Sequence, residues 1–329
     1  MSGVLTFRDT GKLEEADEID TDPRLSTLAQ FYDIWGVGDV TAREFYNKGS
    51  DYSPALPFQC TTILTNISLQ GWRDLDDIVE YGWDTLTRVQ QIGVKFYDDL
   101  RLKIPRAEVE SIANTILNHA QDVDSGFRMV IVGGYRRGQS TCGDVDVVLS
   151  HPDETCTQYF IGRLVLLLEK SGFVSHTLSL TTRNSDRGQE PLQWKGGMTR
   201  ASVGFDTLDK AMLVWRTPES EDMDRHGAHG LGGNPHRRVD IIVSPWKTVG
   251  CAVLGWTGGT TFERDLRRYC KLEKSVKFDS SGIRSRIDGS WIDIEGQELG
   301  KAPDMETAEK RVFEGLGLKW IRPEERCTR

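Results

Sequence analysis

No apolar run in this 329-residue chain reaches the ~18–20 residues that a bilayer-crossing helix needs. The opening residues, MSGVLTFRDTGKLEEADEID, lack the apolar core of a secretory signal. CxxC pairs are missing as well. The six cysteines (Cys60, Cys142, Cys156, Cys251, Cys270 and Cys327) are scattered, which argues against a zinc site and fits reduced thiols in a reducing compartment. An excess of basic charge is also absent, since the formal net charge is −9. Affinity for a phosphate backbone comes largely from Lys and Arg, so this average argues against nucleic acid. The average conceals basic clusters at YRRG, HRRVD and ERDLRRY, and some carboxylates can serve metals instead. There is no internal repeat. What remains is a soluble, intracellular protein of two or three domains, with 38% hydrophobic and 28% charged residues, enough for a sizeable core.

Residues 25–49 read as helix, Gly turn, helix. Leu25, Leu28 and Phe31 have helical spacing, GVG follows, and DVTAREFYN resumes the helical period. Gly36 and Gly38 would let backbone N–H groups approach a phosphate; an ordinary helical corner is the alternative. Residues 50–70 (SDYSPALPFQCTTILTNISLQ) are rich in Ser, Thr and Pro and have no clear period. Helical patterning resumes at WRDLDDIVEYG and continues through RAEVESIANTILNHAQDV. From Arg128 the texture turns to β: RMVIVGG, DVDVVLS, KAMLVWRT and RRVDIIVS are predicted strands. YFIGRLVLLLEKSGF is predicted to be a helix ended by Gly172. A long polar, Gly-rich loop separates KAMLVWRT from RRVDIIVS. The last part mixes helix (TTFERDLRRYCKLEK, TAEKRVFEGLG) with short strands.

The densest charge pattern is VGGYRRGQSTCGDVDVVL, residues 132–149. Residues two apart on a strand share a face, so Asp144 and Asp146 project together, ~6–7 Å apart. Paired carboxylates repel unless a cation bridges them, and hard cations such as Mg²⁺ favour carboxylate and phosphate oxygens. Two unrelated aspartates on a solvated face are the plain alternative, but Val145, Val147, Val148 and Leu149 mark a buried strand. GGYRRG supplies bare backbone and guanidinium for anionic oxygens. Asp240 in HRRVDIIVSP is a third candidate ligand, with Arg238 on the same face two residues earlier. A strand, GG, a short turn, DxD and a later aspartate on another strand form the pattern of nucleotidyltransferases.

WGVGDVTAREFYNKG, IGVKFYDDL, IPRAEV, GGYRRGQSTCGDVDVVLSHP, RRVDIIVSP and GWTGGTTFERDLRRY occur in this order. Together they resemble the family X DNA polymerases (the beta, lambda, mu and terminal-transferase types) over residues 24–329. GWTGG and the loop after LDKAMLVWRT look mu-like, and TCGDVDVV looks lambda-like, as in the fungal DNA polymerase IV group. The resemblance implies an α+β fold. A helix-hairpin-helix DNA-binding (fingers) subdomain would span 25–102, with 50–70 an atypical insertion. A nucleotidyltransferase palm with a mixed sheet would span 103–244, and a small α+β thumb 245–329. Residues 1–24 would be a remnant of a lyase domain.

The same resemblance assigns residues. Asp144, Asp146 and Asp240 would be catalytic and hold two Mg²⁺ ions, with Mn²⁺ as a substitute. One ion would lower the pKa of the primer 3′-hydroxyl, and the other would hold the triphosphate. Gly133, Gly134, Arg137 and Gly143 match triphosphate contacts, with Gly134 in the place of a serine. Gly255, Trp256, Thr257 and Gly258 match the wall of the nucleotide site. Arg264 and Arg267 match residues facing the nascent pair and template, and Glu263 stands where the beta type has an asparagine. Gly36, Gly38, Arg238, Arg264 and Arg267 are the DNA-binding candidates. Carbonyls near Tyr32, Ile34 and Val37 would hold a monovalent cation. The Gly258–Gly259 peptide bond is expected to be cis. Glycine at 255, where other members carry tyrosine, implies weak discrimination against ribonucleotides. The loop at Thr217–His236 is expected to support synthesis across discontinuous templates.

Two departures from the family pattern stand out. Only GKLEEADEI could represent the lyase domain, and Lys12 is no substitute for its lysine, so no lyase activity is expected. Removing residues 50–70 would restore the family spacing, and the segment reads as a translated intron. The implied activity is DNA-directed DNA synthesis in gap filling, base excision repair and end joining. The implied partners are DNA, dNTP and end-joining factors, for a nuclear monomer with no membrane contact. The alternatives are a nucleotidyltransferase acting on RNA or a small molecule, and a catalytically impaired DNA-binding protein.

Overall fold

Nearly continuous burial along VDVVLS and RRVDIIV, which are covered on both faces, sets the architecture around which the larger part of the chain is built. The computed structural model describes residues 18–19, 21–48, 71–190, 207–218, 234–296 and 299–326. The predicted insertion at 50–70, most of residues 1–24 and the centre of the 217–236 loop lie outside the described residues. The chain divides into two units, 1–101 and 102–329.

In the first unit, helix α1 (Pro23–Tyr32) begins at an Asp22 cap, whose carboxylate accepts from the Arg24 amide, with Pro23 entering the first turn. Gly36 takes φ +87° in the turn, and Gly38 caps α2 (Asp39–Asn47). Helix α3 (Arg88–Lys95) starts with a Thr87/Gln90 capping box, and the Gln90 amide donates to the Gly36 carbonyl at 3.2 Å. Gly93 on α3 faces the Trp35 backbone so closely that a Cβ would overlap it. Phe31, Ile34, Phe45, Trp72 and Ile78 form the core of this unit. The predicted helix, turn, helix is present.

In the second unit, strands β1 (Ile104–Pro105) and β3 (Thr141–Cys142) form a small antiparallel pair. A five-stranded mixed sheet holds the core. Its strands are β2 (Arg128–Ile131), β4 (Val145–Ser150), β5 (Val174–Thr181), β6 (Asp209–Trp215) and β7 (Arg237–Val243), in the order β2-β4-β7-β6-β5. Only β4 and β7 pair in parallel; their neighbours are antiparallel. Val145, Val147 and Leu149, with Val239, Ile241 and Val243, pack on helices α4 (Arg106–Val123) and α6 (Phe160–Lys170). The alternate residues Val148 and Ile242 face helices α7 (Val249–Thr257) and α9 (Met305–Gly315). Each fully buried aliphatic side chain contributes ~1.5–3 kcal/mol, so the two-sided burial fixes the register firmly. Gly172, at φ +77°, follows α6 as predicted. Helix α8 (Thr260–Glu273), a β8 (Val276–Asp279), β9 (Gly282–Ser285) and β10 (Trp291–Ile292) sheet, and α9 enclose a smaller core of Leu254, Leu266, Phe278, Ile283 and Phe313. Elements without a counterpart in the sequence-based prediction include β5, whose VSHTLSLT is half polar, and α7, whose VGCAVLGWT is apolar all round and carries no helical period.

Candidate active site

The parallel pairing of β4 and β7 places Asp146 directly beside Asp240. Asp144 stands one residue before β4. Oxygens of the three carboxylates lie within 4.8 Å of one another, closer than the expected strand spacing because the side chains converge. All three are wholly or partly buried. Burial, and then the Asp240 charge, raise the pKa of Asp146 to about 7, against the pull of Arg137. Burial raises that of Asp240 too, opposed by Arg238 and Lys210. Arg238 is drawn into this cluster. Its Nη2 pairs with Asp144 Oδ2, and its Nε lies 3.6 Å from Asp240 Oδ1. Asp240 Oδ1 is buried without a hydrogen-bond donor. Acidic oxygens crowded in this way, one of them orphaned, fit a divalent cation: hard carboxylate donors converge, and a cation would remove the repulsion that raises their pKa.

The loop before β4, which carries the short helix α5 (Gly133–Arg136), is built around its glycines. Gly133 has φ +59°, and a Cβ there would overlap Asp146 Oδ2; both facts require glycine. A Cβ on Gly134 would press on Gln139 Oε1. Gly143 is open, with only Lys103 Nζ within 4 Å of a would-be Cβ. Arg137 Nη1 donates to the carbonyls of Thr257 (2.8 Å) and Gly258 (3.3 Å), tying the loop to the end of α7. Arg136 makes a parallel connection that was not anticipated. It donates to Thr257 Oγ1 at 2.8 Å and, through both terminal nitrogens, to Glu309 at 2.9 Å. Glu309 also accepts from the buried Arg326 at 2.6 Å.

At the end of α7, Gly255 and Trp256 are half-buried, and Thr257 and Gly258 are buried. The Cβ direction of Gly255 is not empty, because Ser280 Cβ would lie 3.1 Å away. Lys210 Nζ sits 5.6 Å from the centre of the Trp256 ring. Lys210 escaped the sequence reading, since nothing in LDKAMLVW distinguishes it before the sheet is assembled. The expected cis bond between Gly258 and Gly259 is corrected: every peptide bond among the described residues is trans. The chain reverses instead through Gly258 (φ −40°, ψ −175°) and an extended Gly259 that caps α8, which avoids the ~3 kcal/mol cost of a non-proline cis bond.

On α8, Glu263 is buried and pairs with Arg267 at 2.6 Å, while Arg264 is exposed. Burial pushes the Glu263 carboxyl up to about 7, against the attraction of Arg267 and Arg326. In the first unit, Gly36 and Gly38 are exposed at the hairpin, and Ile34 O accepts the Val37 amide at 3.0 Å.

Comparisons with known proteins match three consecutive segments of the chain. Residues 68–101 match the fingers domain of DNA polymerase lambda, 103–246 the DNA polymerase beta palm and 252–327 the DNA polymerase beta thumb. The chain is 28% identical over 321 residues to DNA polymerase lambda of Arabidopsis thaliana, covering 96% of this chain and 49% of that protein. It is 30% identical over 324 residues to DNA polymerase lambda of Rattus norvegicus, covering 98% and 46%. It is 29% identical over 322 residues to the DNA polymerase type-X family protein pol4 of Schizosaccharomyces pombe, covering 98% and 52%. The chain therefore spans about half the length of the curated relatives it matches. Fingers, palm and thumb matched in order, and similarity running through nearly the whole chain, make it a member of the family X DNA polymerases.

Proposed function

We propose that this chain is a DNA-directed DNA polymerase that adds a nucleotide from dNTP to a primer 3′-hydroxyl, in gap filling, base excision repair and double-strand-break end joining. The observation that carries the reading is the convergence of Asp144, Asp146 and Asp240 beside the Gly133–Arg137 loop. These carboxylates would hold two Mg²⁺ ions, with Mn²⁺ as a substitute, and the ions when bound would activate the 3′-hydroxyl and neutralise the triphosphate.

The remaining work falls to the chain's own groups. The backbone at Gly133, Gly134 and Gly143 approaches the triphosphate oxygens without side-chain obstruction. Arg137 holds the carbonyls of Thr257 and Gly258, and its five N–H donors leave capacity for phosphate oxygens. Trp256 and Gly255 form the wall against the sugar, and Thr257 and Gly258 fix that wall to the loop. Arg238 holds Asp144 in place and must release it to contact DNA. Arg264 is free to meet the template strand, whereas Arg267 does so only by sharing or leaving Glu263. Gly36 and Gly38 receive the primer-strand backbone, with a monovalent cation on the hairpin carbonyls. The division into 25–102, 103–244 and 245–329, a monomeric state, end-joining partners and a nuclear location belong to the same reading.

The test is extension of a gapped DNA duplex by the full chain with Mg²⁺ and dNTP, beside a gapped RNA duplex. Extension of DNA with little on RNA supports the proposal. No addition to either, or a preference for RNA, overturns it.

A further inference from the structure

A second group of metal-ligating side chains lies at the opposite end of β4 from Asp146. Asp124 caps the C-terminal end of α4, His151 follows β4, and Cys156 lies on the 3-10 turn Glu154–Thr157. One donor atom from each falls within 4.8 Å of the other two. His151 Nε2 is 3.0 Å from Asp124 Oδ1, and Cys156 Sγ is 3.8 Å from Asp124 Oδ2. His151 is buried, while Asp124 and Cys156 are half-buried, so the point of convergence is reachable from the surface. We propose that Asp124, His151 and Cys156 form a zinc site, with water as the fourth ligand, that fastens the end of α4 to the exit of β4.

The donor chemistry selects the metal. One carboxylate, one imidazole and one thiol match Zn²⁺, which takes oxygen, nitrogen and sulfur in tetrahedral array. Mg²⁺ has no use for the thiol or the imidazole. The size also fits. With ordinary zinc–ligand lengths, a tetrahedral ion sets its donors about 3.4–3.6 Å apart. One donor atom from each residue lies within 4.8 Å of the other two, and His151 Nε2 is 3.0 Å from Asp124 Oδ1, so side-chain rotation brings the three donors to that spacing.

The histidine is equipped for the role from behind. Its Nδ1 lies 3.0 Å from the Asp153 carbonyl and also 3.0 Å from the Asp153 amide. It can therefore accept from the amide in one tautomer or donate to the carbonyl in the other. Donation from Nδ1 to a backbone carbonyl is the arrangement that frees Nε2 for a metal. The ring is also held in position. Its centre is 5.1 Å from that of Phe127, and a Cβ on Gly126 would overlap it, so glycine is needed for the imidazole to reach Asp124. The Gly126 amide donates to Asp124 Oδ1 at 2.9 Å, which fixes the carboxylate.

The proton balance is simple. Zinc takes Cys156 as thiolate, and the thiol proton passes to solvent. The imidazole proton moves from Nε2 to Nδ1, where the Asp153 carbonyl accepts it. One proton is released per ion bound, and affinity rises with pH. The scattered cysteines argue against a zinc site, and the site proposed departs from that expectation because its ligands come from a helix end, a strand exit and a turn that meet only in the fold.

The experiment uses the full chain, freed of metal by a chelator and titrated with Co²⁺ and then Zn²⁺. A thiolate-to-cobalt charge-transfer band reports the sulfur ligand. The all-oxygen cluster of Asp144, Asp146 and Asp240 cannot produce such a band, so the two sites are distinguished in one spectrum. The expected result is a band that saturates at one equivalent, is bleached by Zn²⁺ and survives excess Mg²⁺. Cys156→Ser should abolish it, and Asp124→Asn should weaken binding about tenfold or more. Zinc should raise the melting temperature of the parent and leave that of Cys156→Ser unmoved. No band in the parent, or an unchanged band in Cys156→Ser, would overturn the proposal and leave the three residues as a hydrogen-bonded corner.

Discussion

Glu309 is the acceptor at the centre of a buried charge network, and its removal should be among the most damaging single changes in the second unit. Its carboxylate takes two parallel hydrogen bonds from Arg136 at 2.9 Å, one from Arg326 at 2.6 Å and a longer one from Trp320 at 3.4 Å. The side chains of Glu309 and Arg326 are 0% exposed, and that of Arg136 is 14% exposed. Burial alone would raise the Glu309 pKa, but the two arginines more than offset it and hold the carboxyl below its ordinary value. Glu309→Ala strands one guanidinium wholly out of water and leaves a second facing it. Removing one member of a buried ion pair costs about 3–5 kcal/mol. That is a large share of the ~5–15 kcal/mol by which domains are stable, and for a unit of this size it corresponds to a melting temperature lower by roughly 10 °C. Glu309→Gln keeps the shape and one acceptor oxygen, so it should cost less, about 1.5–3 kcal/mol. Urea unfolding of the parent and both variants measures this. A loss below about 1 kcal/mol for Glu309→Ala would refute the reasoning, because it would mean that Arg326 finds water or another partner at once.

Other outcomes follow from the same geometry. Gly133→Ala places a methyl on Asp146 Oδ2 at a positive φ; gap filling should fall to a few per cent or less while overall helicity in circular dichroism is kept, and near-normal activity would contradict the assigned closeness. Asp146 titrates near 7 without metal, above its ordinary 3.8, so the metal-free fold carries an extra proton between those pH values and loses stability as pH rises through them. A divalent ion must displace that proton, so the half-saturating Mg²⁺ concentration in the extension assay should climb as pH falls below about 7, and a flat profile would count against it. For Gly255, the Ser280 contact means that tyrosine fits only if the β8–β9 turn shifts. The parent should show a small ratio of dNTP to rNTP efficiency in gap filling, rising at least about tenfold in Gly255→Tyr, a change of ~1.4 kcal/mol; a ratio already in the thousands would exclude an open sugar site.

Local chemistry in this chain is legible from its residues, and long-range assembly is not. The valines and isoleucines around Asp146 and Asp240 announce buried strands, and both strands are present. Nothing in either strand states that they pair in parallel with those two aspartates side by side; that register comes from helices packing on both faces of the sheet. The α1–turn–α2 hairpin was readable because Leu25, Leu28 and Phe31 keep helical spacing and Gly36 and Gly38 are local punctuation. Helix α7 was not, because burial on all sides erases the 3.6-residue period. Arg136 and Arg137 look alike in sequence. Only the fold sends one to Glu309 and the other to the Thr257 and Gly258 carbonyls. Arg238, two residues from Asp240, lies near that carboxylate as expected, but its additional pairing with Asp144 depends on the β4–β7 register.

The central claim is that Asp240 completes a carboxylate trio that carries out nucleotide addition, while DNA is held elsewhere. The most direct test is single-nucleotide gap filling with Mg²⁺ by the parent and by Asp240→Ala, with duplex binding measured on the same preparations. The account predicts that addition falls below a few per cent of the parent rate while affinity for gapped DNA stays essentially unchanged. Retention of substantial addition by Asp240→Ala, with binding intact, would contradict it.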